Sequence, residues 1–299
     1  MTTGSDQQTV GEASVSIGAL ARATQIPAAT LRTWERRYGY PVPKRRPSGH
    51  RVYSTANIER LRRIADALAR GHRAADVVPA GDEQLRALLA DPPPQAPVGA
   101  SRPGGDDTIA TIRRFDGDAL SRQLTDDWAA HGPVAFLTER VAPLVTDVGE
   151  RWARGDLDVA HEHFFAESVG GLLRSLRQPF DRRAHGPSVV LATLPGELHA
   201  LGLQMAALAL ATTGWRVVNL GPDVPREQIV KHATGLGARA VGIGVSAATA
   251  AGASELTALR AALPRTTELL IGGSGAPSID DATAFDDLEA LHEWARNRA

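Results

Sequence analysis

The chain has 299 residues, 43% hydrophobic and 22% charged, with a formal net charge of −1. That length allows two or three domains and at least one sizeable core, and the composition is that of an ordinary globular protein. The absence of cysteine excludes disulfides, thiolate metal sites and cysteine nucleophiles, and suits a reducing cytoplasm.

The polar opening "MTTGSDQQTVGEASVS" lacks an apolar centre, so it is not read as a signal peptide, and residues 1–13 are expected to be disordered. No apolar run is long enough to span a membrane, so a cytoplasmic protein without a membrane partner is expected. Charge is distributed unevenly. Residues 16–73 hold 13 Lys/Arg against three acids, Glu35, Glu59 and Asp66, so this segment is +10 and the remainder −11. A compact positive block on an acidic chain points to an electrostatic partner for one end only, most simply nucleic acid.

Residues 14–90 form that first domain. "SIGALARATQIPAATLRTWERRYGY" predicts two short helices, the first capped by Ser16 and the second opening on Pro27. Leu31 and Trp34 would face inward, while Arg32, Arg36 and Arg37 lie on the other faces. "PVPKRRPSGHRVYS" suits a β-hairpin wing turning at Ser48-Gly49, with Lys44, Arg45, Arg46 and Arg51 supplying charge. A third helix begins near Ser54, places Ile58, Leu61, Ile64 and Leu68 inward, and stops at Gly71. The Pro/Gly-rich stretch 91–105 reads as a linker.

Residues 106–183 show helical periodicity punctuated at Gly132-Pro133, Gly155 and Pro179, which predicts a four-helix bundle. Within it "WARGDLDVAHEH" spans a helix junction, with Gly155 ending one helix and Asp156 or Asp158 capping the next. Trp152 then stands near Glu162 and His163. His161 and His163 are two apart on a helix and point apart, which argues against a zinc pair.

Residues 184–299 alternate the apolar runs "SVVLAT", "WRVVNL", "ARAVGIGVS" and "TELLIGG" with amphipathic stretches, the pattern of an α/β doubly wound, flavodoxin-like parallel sheet. After the first run comes "GELHALG", which holds Glu197, His199 and Gly202. A histidine in such a strand-to-helix loop can fix a metal, shuttle a proton or cap the helix. Ser246 and the pair Gly272-Gly273 fall at later strand ends, on the same rim of the sheet. The glycine spacing is not that of a dinucleotide loop.

Three resemblances cover most of the chain. "SIGALARATQIPAATLRTWERRYG" with "RRPSGHRVYS" resembles the winged helix-turn-helix DNA-binding domain of the MerR family. The resemblance implies a recognition helix around 27–38 in the major groove and a wing around 41–53 on the backbone of double-stranded operator DNA. Its contact candidates are Arg32, Arg36, Arg37, Tyr38, Lys44, Arg45, Arg46, His50, Arg51 and Tyr53. The pattern Glu197-x-His199-x-x-Gly202, then Ser246, then Gly272-Gly273 resembles the cobalamin-binding domain of corrinoid proteins. It implies that His199 ligates cobalt from below, that Glu197 orients it, and that the cofactor's displaced nucleotide tail lies in a slot lined by Ser246 and the glycines. Ala248 stands where a larger residue is common, and the segment after Gly273 leaves little room for a helix before a fifth strand. The alternative is a MerR-type regulator of the same fold that uses another ligand, heme or another tetrapyrrole, or no cofactor, since His199 would serve heme iron equally well.

Trp152, followed after nine residues by Glu162-His163, resembles the helical cap of the CarH/LitR type of light-sensing MerR regulators. This implies adenosylcobalamin as the cofactor, with Trp152, Val159, Glu162 and His163 on its upper side. It also implies a repressor that binds DNA as a dark homo-oligomer, dimer to tetramer. Some members carry a histidine directly after the tryptophan. Here that position is Ala153, and the expectation is that after light the upper face keeps water or recruits His161 or His163. A corrinoid-carrying enzyme would share the pocket but not the basic block, and no stretch of the chain reads as a domain for a second substrate. A non-enzymatic regulator is therefore expected.

Overall fold

The computed structural model describes residues 14–24, 26, 28–46, 50–69, 72–90, 105–246 and 252–299. The expectations placed on residues 1–13, Pro27, Ser48-Gly49, Gly71, Ala248 and most of the linker lie outside the described residues.

The basic domain opens with β1 (Ser14–Val15), α1 (Ile17–Thr24) and α2 (Ala28–Tyr38). The Ser16 hydroxyl accepts from the Ala19 N–H at 3.2 Å, satisfying one orphan donor of α1. The wing is β2 (Lys44–Arg45) paired antiparallel with β3 (Arg51–Ser54), in the register Lys44 opposite Val52. On its other edge β3 pairs with β1, Ser14 opposite Ser54, so the wing is a three-stranded sheet. The domain closes with α3 (Asn57–Ala69), α4 (Ala74–Val77) and α5 (Asp82–Ala90). Leu20, Leu31, Trp34, Leu61 and Ile64 are fully buried together, as their helical spacing requires.

The bundle comprises α6 (Gly105–Arg113), α7 (Gly117–His131), α8 (Pro133–Ala135) and α9 (Ala142–Ala153), the last two joined through a π-helical turn at Phe136–Val141, and α10 (Val159–Asp181). Asp116 caps α7 and Asp158 caps α10. Leu120, Trp128, Phe136, Val148, Phe165 and Leu173 fill the centre.

The third unit runs β4 (Ser188–Thr193), α11 (Leu201–Thr212), β5 (Arg216–Gly221), α12 (Arg226–Gly235), β6 (Ala240–Gly244), α13 (Ala253–Ala262), β7 (Glu268–Gly272), β8 (Ala282–Phe285) and α14 (Leu288–Arg296). Its five strands are all parallel in the order β5-β4-β6-β7-β8. No helix intervenes between β7 and β8, in keeping with the short segment after Gly273. The strand order reverses between β4 and β6, and the loops leaving their C-terminal ends diverge there, the usual place for a ligand crevice.

Bundle and sheet are not independent bodies. Met205, Leu208 and Ala209 of α11 are buried in the same apolar cluster as the bundle core. A Cβ added to Gly170 of α10 would lie 4.0 Å from Leu201 Cδ1, so α10 and α11 touch at the position next to the His199 loop.

Candidate functional site

The loop after β4 is held from several sides. Gly196, at φ +86, donates its N–H to Asp223 at 2.9 Å, and Thr193 Oγ1 donates to the Glu197 carbonyl. This drives the Glu197 side chain inward to 1% exposure, whereas His199, two residues on, remains 62% exposed. One Glu197 oxygen accepts the His199 backbone N–H at 2.8 Å and lies 2.6 Å from His199 Nδ1. The other accepts the Ser246 N–H at 2.9 Å. Glu197 therefore ties the β4 and β6 loops together across the switch point.

A carboxylate only accepts, so Nδ1 carries a proton and donates to Glu197, which leaves Nε2 as the nitrogen directed away from Glu197. That is the state in which an imidazole binds a metal, with a carboxylate behind it raising its basicity. Ser246 Oγ stands 3.3 Å from the same Nδ1. The rim glycines differ in kind. Gly202 and Gly272 face open space, with no atom closer than 4 Å to an added Cβ. Gly273, at φ +112, passes so close to the next strand that a Cβ would lie 2.3 Å from the Val245 carbonyl oxygen. An exposed imidazole with a buried carboxylate behind it, on a rim left open by small residues, fits a cobalt corrinoid bound through His199.

On the bundle, Trp152 and Val159 are 51% and 53% exposed, unusual for large apolar side chains. Glu162 and His163 pair at 3.5 Å, with His163 outward. Val159, His163 and Gly170 recur at helical spacing, so they share one stripe of α10. That stripe touches Leu201 at Gly170, and His163 lies seven residues toward the N-terminus, about 10 Å along the axis. His161 is placed differently. Its Nδ1 completes the capping box with Asp158, its Nε2 lies 3.3 Å from the Arg113 carbonyl, and its ring stacks on Phe115 at 4.6 Å. Of the two histidines expected near the upper face, His163 is the one whose ring is not taken up by the helix cap.

In the basic domain Arg32, Arg36 and Arg37 are exposed on α2, and Lys44, Arg45, Arg46, His50 and Arg51 are exposed along the wing. Tyr38 is half-buried beneath the Arg37 guanidinium. Tyr53 is not at the surface. It is 1% exposed, and its hydroxyl donates to Glu35 at 2.7 Å. Glu35 also pairs with Arg51 at 3.2 Å, so Tyr53 braces the wing against α2. Sequence reasoning passed over two further residues: Asp223, which pins Gly196, and Asp126 of α7, which bonds to α2. No local motif marks either.

Comparison with known proteins agrees with this layout. The family model "MerR HTH family regulatory protein" matches residues 15–78. Two models described as "B12 binding domain" match residues 107–177, the bundle, and 187–290, the sheet unit. The chain is 35% identical to the HTH-type transcriptional repressor CarH of Myxococcus xanthus over 304 residues, covering 96% of this chain and 99% of that one. It is 30% identical to the HTH-type transcriptional repressor CarA of the same organism over 213 residues, covering 71% of this chain and 69% of the other. The solved monomethylamine corrinoid protein of Methanosarcina barkeri shares the fold, with a TM-score of 0.52 at 15% identity over 64% of this chain and 96% of that one. The chain belongs to the MerR-family regulators that carry a C-terminal cobalamin-binding domain.

Proposed function

We propose that the protein is a cytoplasmic, light-sensing transcriptional repressor that uses adenosylcobalamin as its chromophore and binds operator DNA as a dark homo-oligomer, up to a tetramer. When bound, that cofactor supplies a cobalt–carbon bond weak enough for visible light to break, and a bulky adenosyl group present only before illumination. The residues of this chain divide the work. His199 would hold the cobalt, its ring orientation fixed by Glu197. Ser246, Gly202, Gly272 and Gly273 accommodate the nucleotide tail at the sheet rim. Trp152, Val159, Glu162 and His163 close over the upper side and register whether the adenosyl group is there.

The observation that carries this reading is the pairing of a carboxylate-braced, solvent-facing histidine with an exposed Trp152 on a bundle that shares its core with α11. A change in the space beneath Trp152 is thereby transmitted to bundle packing, and from there to the surfaces that join subunits. Each subunit offers one basic domain. Several held together bind several half-sites with avidity, so loss of assembly lowers operator affinity steeply without altering any DNA contact. Arg32, Arg36, Arg37, Lys44, Arg45, Arg46, His50 and Arg51 provide that contact, and binding weakens with salt in proportion to the phosphates neutralised.

The test compares apo, dark cofactor-loaded and illuminated protein in a band shift with the DNA upstream of its own coding region, alongside their elution on a sizing column. The dark loaded form should be the largest species and the tightest binder, and light should abolish both properties. Identical titrations and sizes in dark and light would end the light-sensing reading.

A further inference from the structure

The helix read as DNA-facing is partly occupied by the protein itself. Arg36 of α2 directs its guanidinium onto Asp126 of α7, at 3.0 and 3.2 Å from the two carboxylate oxygens. Thr33, one turn earlier on α2, donates to the same carboxylate at 3.0 Å. Beside them the Trp34 indole N–H donates to the Ala129 carbonyl at 2.8 Å, in the buried part of the contact. Asp126 and Ala129 are one turn apart on α7, so one stripe of that helix receives one stripe of α2. A further tie joins Arg73 to Glu139 at 2.9 Å.

We propose that Asp126 is a latch: it holds α2 against the bundle and competes with DNA phosphate for the Arg36 guanidinium. Both contacts are made by Nη2, so the carboxylate holds a nitrogen that a DNA phosphate would otherwise engage. Both partners lie at the solvent edge, Arg36 at 69% and Asp126 at 50% exposure, so the pair can exchange for an incoming anion. An apolar crevice lined by Ile26, Trp34, Leu68, Trp128, Pro133 and Phe180 lies between the two domains beside this contact. The proposal rests on the reading of α2 as the DNA-contacting helix.

The test is a double-mutant cycle on the full chain without cofactor, read as binding to a random-sequence DNA duplex at low salt and to the duplex from upstream of the coding region. Asp126→Asn keeps an oxygen for Thr33 but removes the charge. It should tighten binding to both probes by about two- to fivefold, the range of an exposed ion pair. In an Arg36→Ala background the same substitution should change nothing. Tightening that persists without Arg36 would show a general field effect and overturn the latch, as would unchanged or weaker binding by Asp126→Asn alone. If the unsubstituted chain bound neither duplex, with or without cofactor in the dark, the DNA-contacting reading would fail, and the latch with it.

Discussion

Glu197 and His199 form a two-ended device: the carboxylate is buried, the imidazole is exposed, and they meet at 2.6 Å between Oε1 and Nδ1. The buried end fixes the geometry and the exposed end is left to act. Glu197→Gln replaces one acceptor oxygen by a donor, so either His199 or the Ser246 N–H loses its partner. Loss of such a brace typically weakens metal binding about 10- to 100-fold. The expected outcome is a comparable fall in adenosylcobalamin affinity in a dark absorbance titration, with thermal stability lowered by about 1–3 kcal/mol. Affinity equal to the native chain would show that Glu197 serves the fold alone.

Trp152 separates function from stability. Its ring is half exposed, so Trp152→Ala should lower unfolding free energy by about 1–2 kcal/mol, well short of the cost at a fully buried position. If the ring registers the adenosyl group, the same substitution should abolish cofactor-dependent assembly on a sizing column while leaving the apo protein's size unchanged. Normal dark assembly by the variant would remove Trp152 from the sensing surface.

Gly273 offers the opposite case. At φ +112, with a Cβ position 2.3 Å from the Val245 carbonyl oxygen, it admits no side chain. Gly273→Ala should destabilise the sheet unit by about 3 kcal/mol or more, through backbone strain and displacement of the β6 loop that carries Ser246. Gly272→Ala, whose added methyl meets nothing closer than 4.0 Å, should melt close to the native temperature. Similar melting of the two variants would contradict this division of the pair.

What the sequence disclosed follows from the range of the forces involved. The apolar spacing of Ile58, Leu61 and Ile64, and the glycines that end β7, are local and periodic, so helix faces and strand ends could be read directly. Pairings between distant segments could not. Nothing near Ser14 announces that it lies opposite Ser54, and that pairing makes β3 a central strand. Tyr53 consequently turns inward, although its basic neighbours place it in a DNA-contact motif. Asp126 lies 90 residues from Arg36 and is ordinary in its own context. His161 resembles a spare metal ligand until the Asp158 capping box takes its ring. The Glu197–His199–Gly202 pattern was legible because its chemistry fits within six residues; its tie to Ser246 depends on the sheet order.

The brace around Tyr53 also predicts a pH response. Burial, and then the bond to Glu35, push its hydroxyl up to about 12 from the ordinary 10.0. A group whose folded pKa is raised contributes stability that is complete below its unfolded value and lost as pH rises toward the folded one. Melting of the native chain should therefore fall between about pH 10 and 12 more steeply than that of Tyr53→Phe. At neutral pH the variant should be less stable by about 1.5 kcal/mol, since a hydrogen bond to a charged acceptor is lost. Parallel pH profiles would place the alkaline loss elsewhere.

The measurement that bears most directly on the account is the dark absorbance spectrum of the protein mixed with adenosylcobinamide, which carries the corrin and adenosyl group but no tail base. Nitrogen ligation on its lower face can then come only from the protein. The native chain should give the nitrogen-ligated spectrum and His199→Ala the unligated one. A native spectrum without nitrogen ligation, or an unchanged spectrum in the variant, would contradict the assignment of His199 as the cobalt ligand.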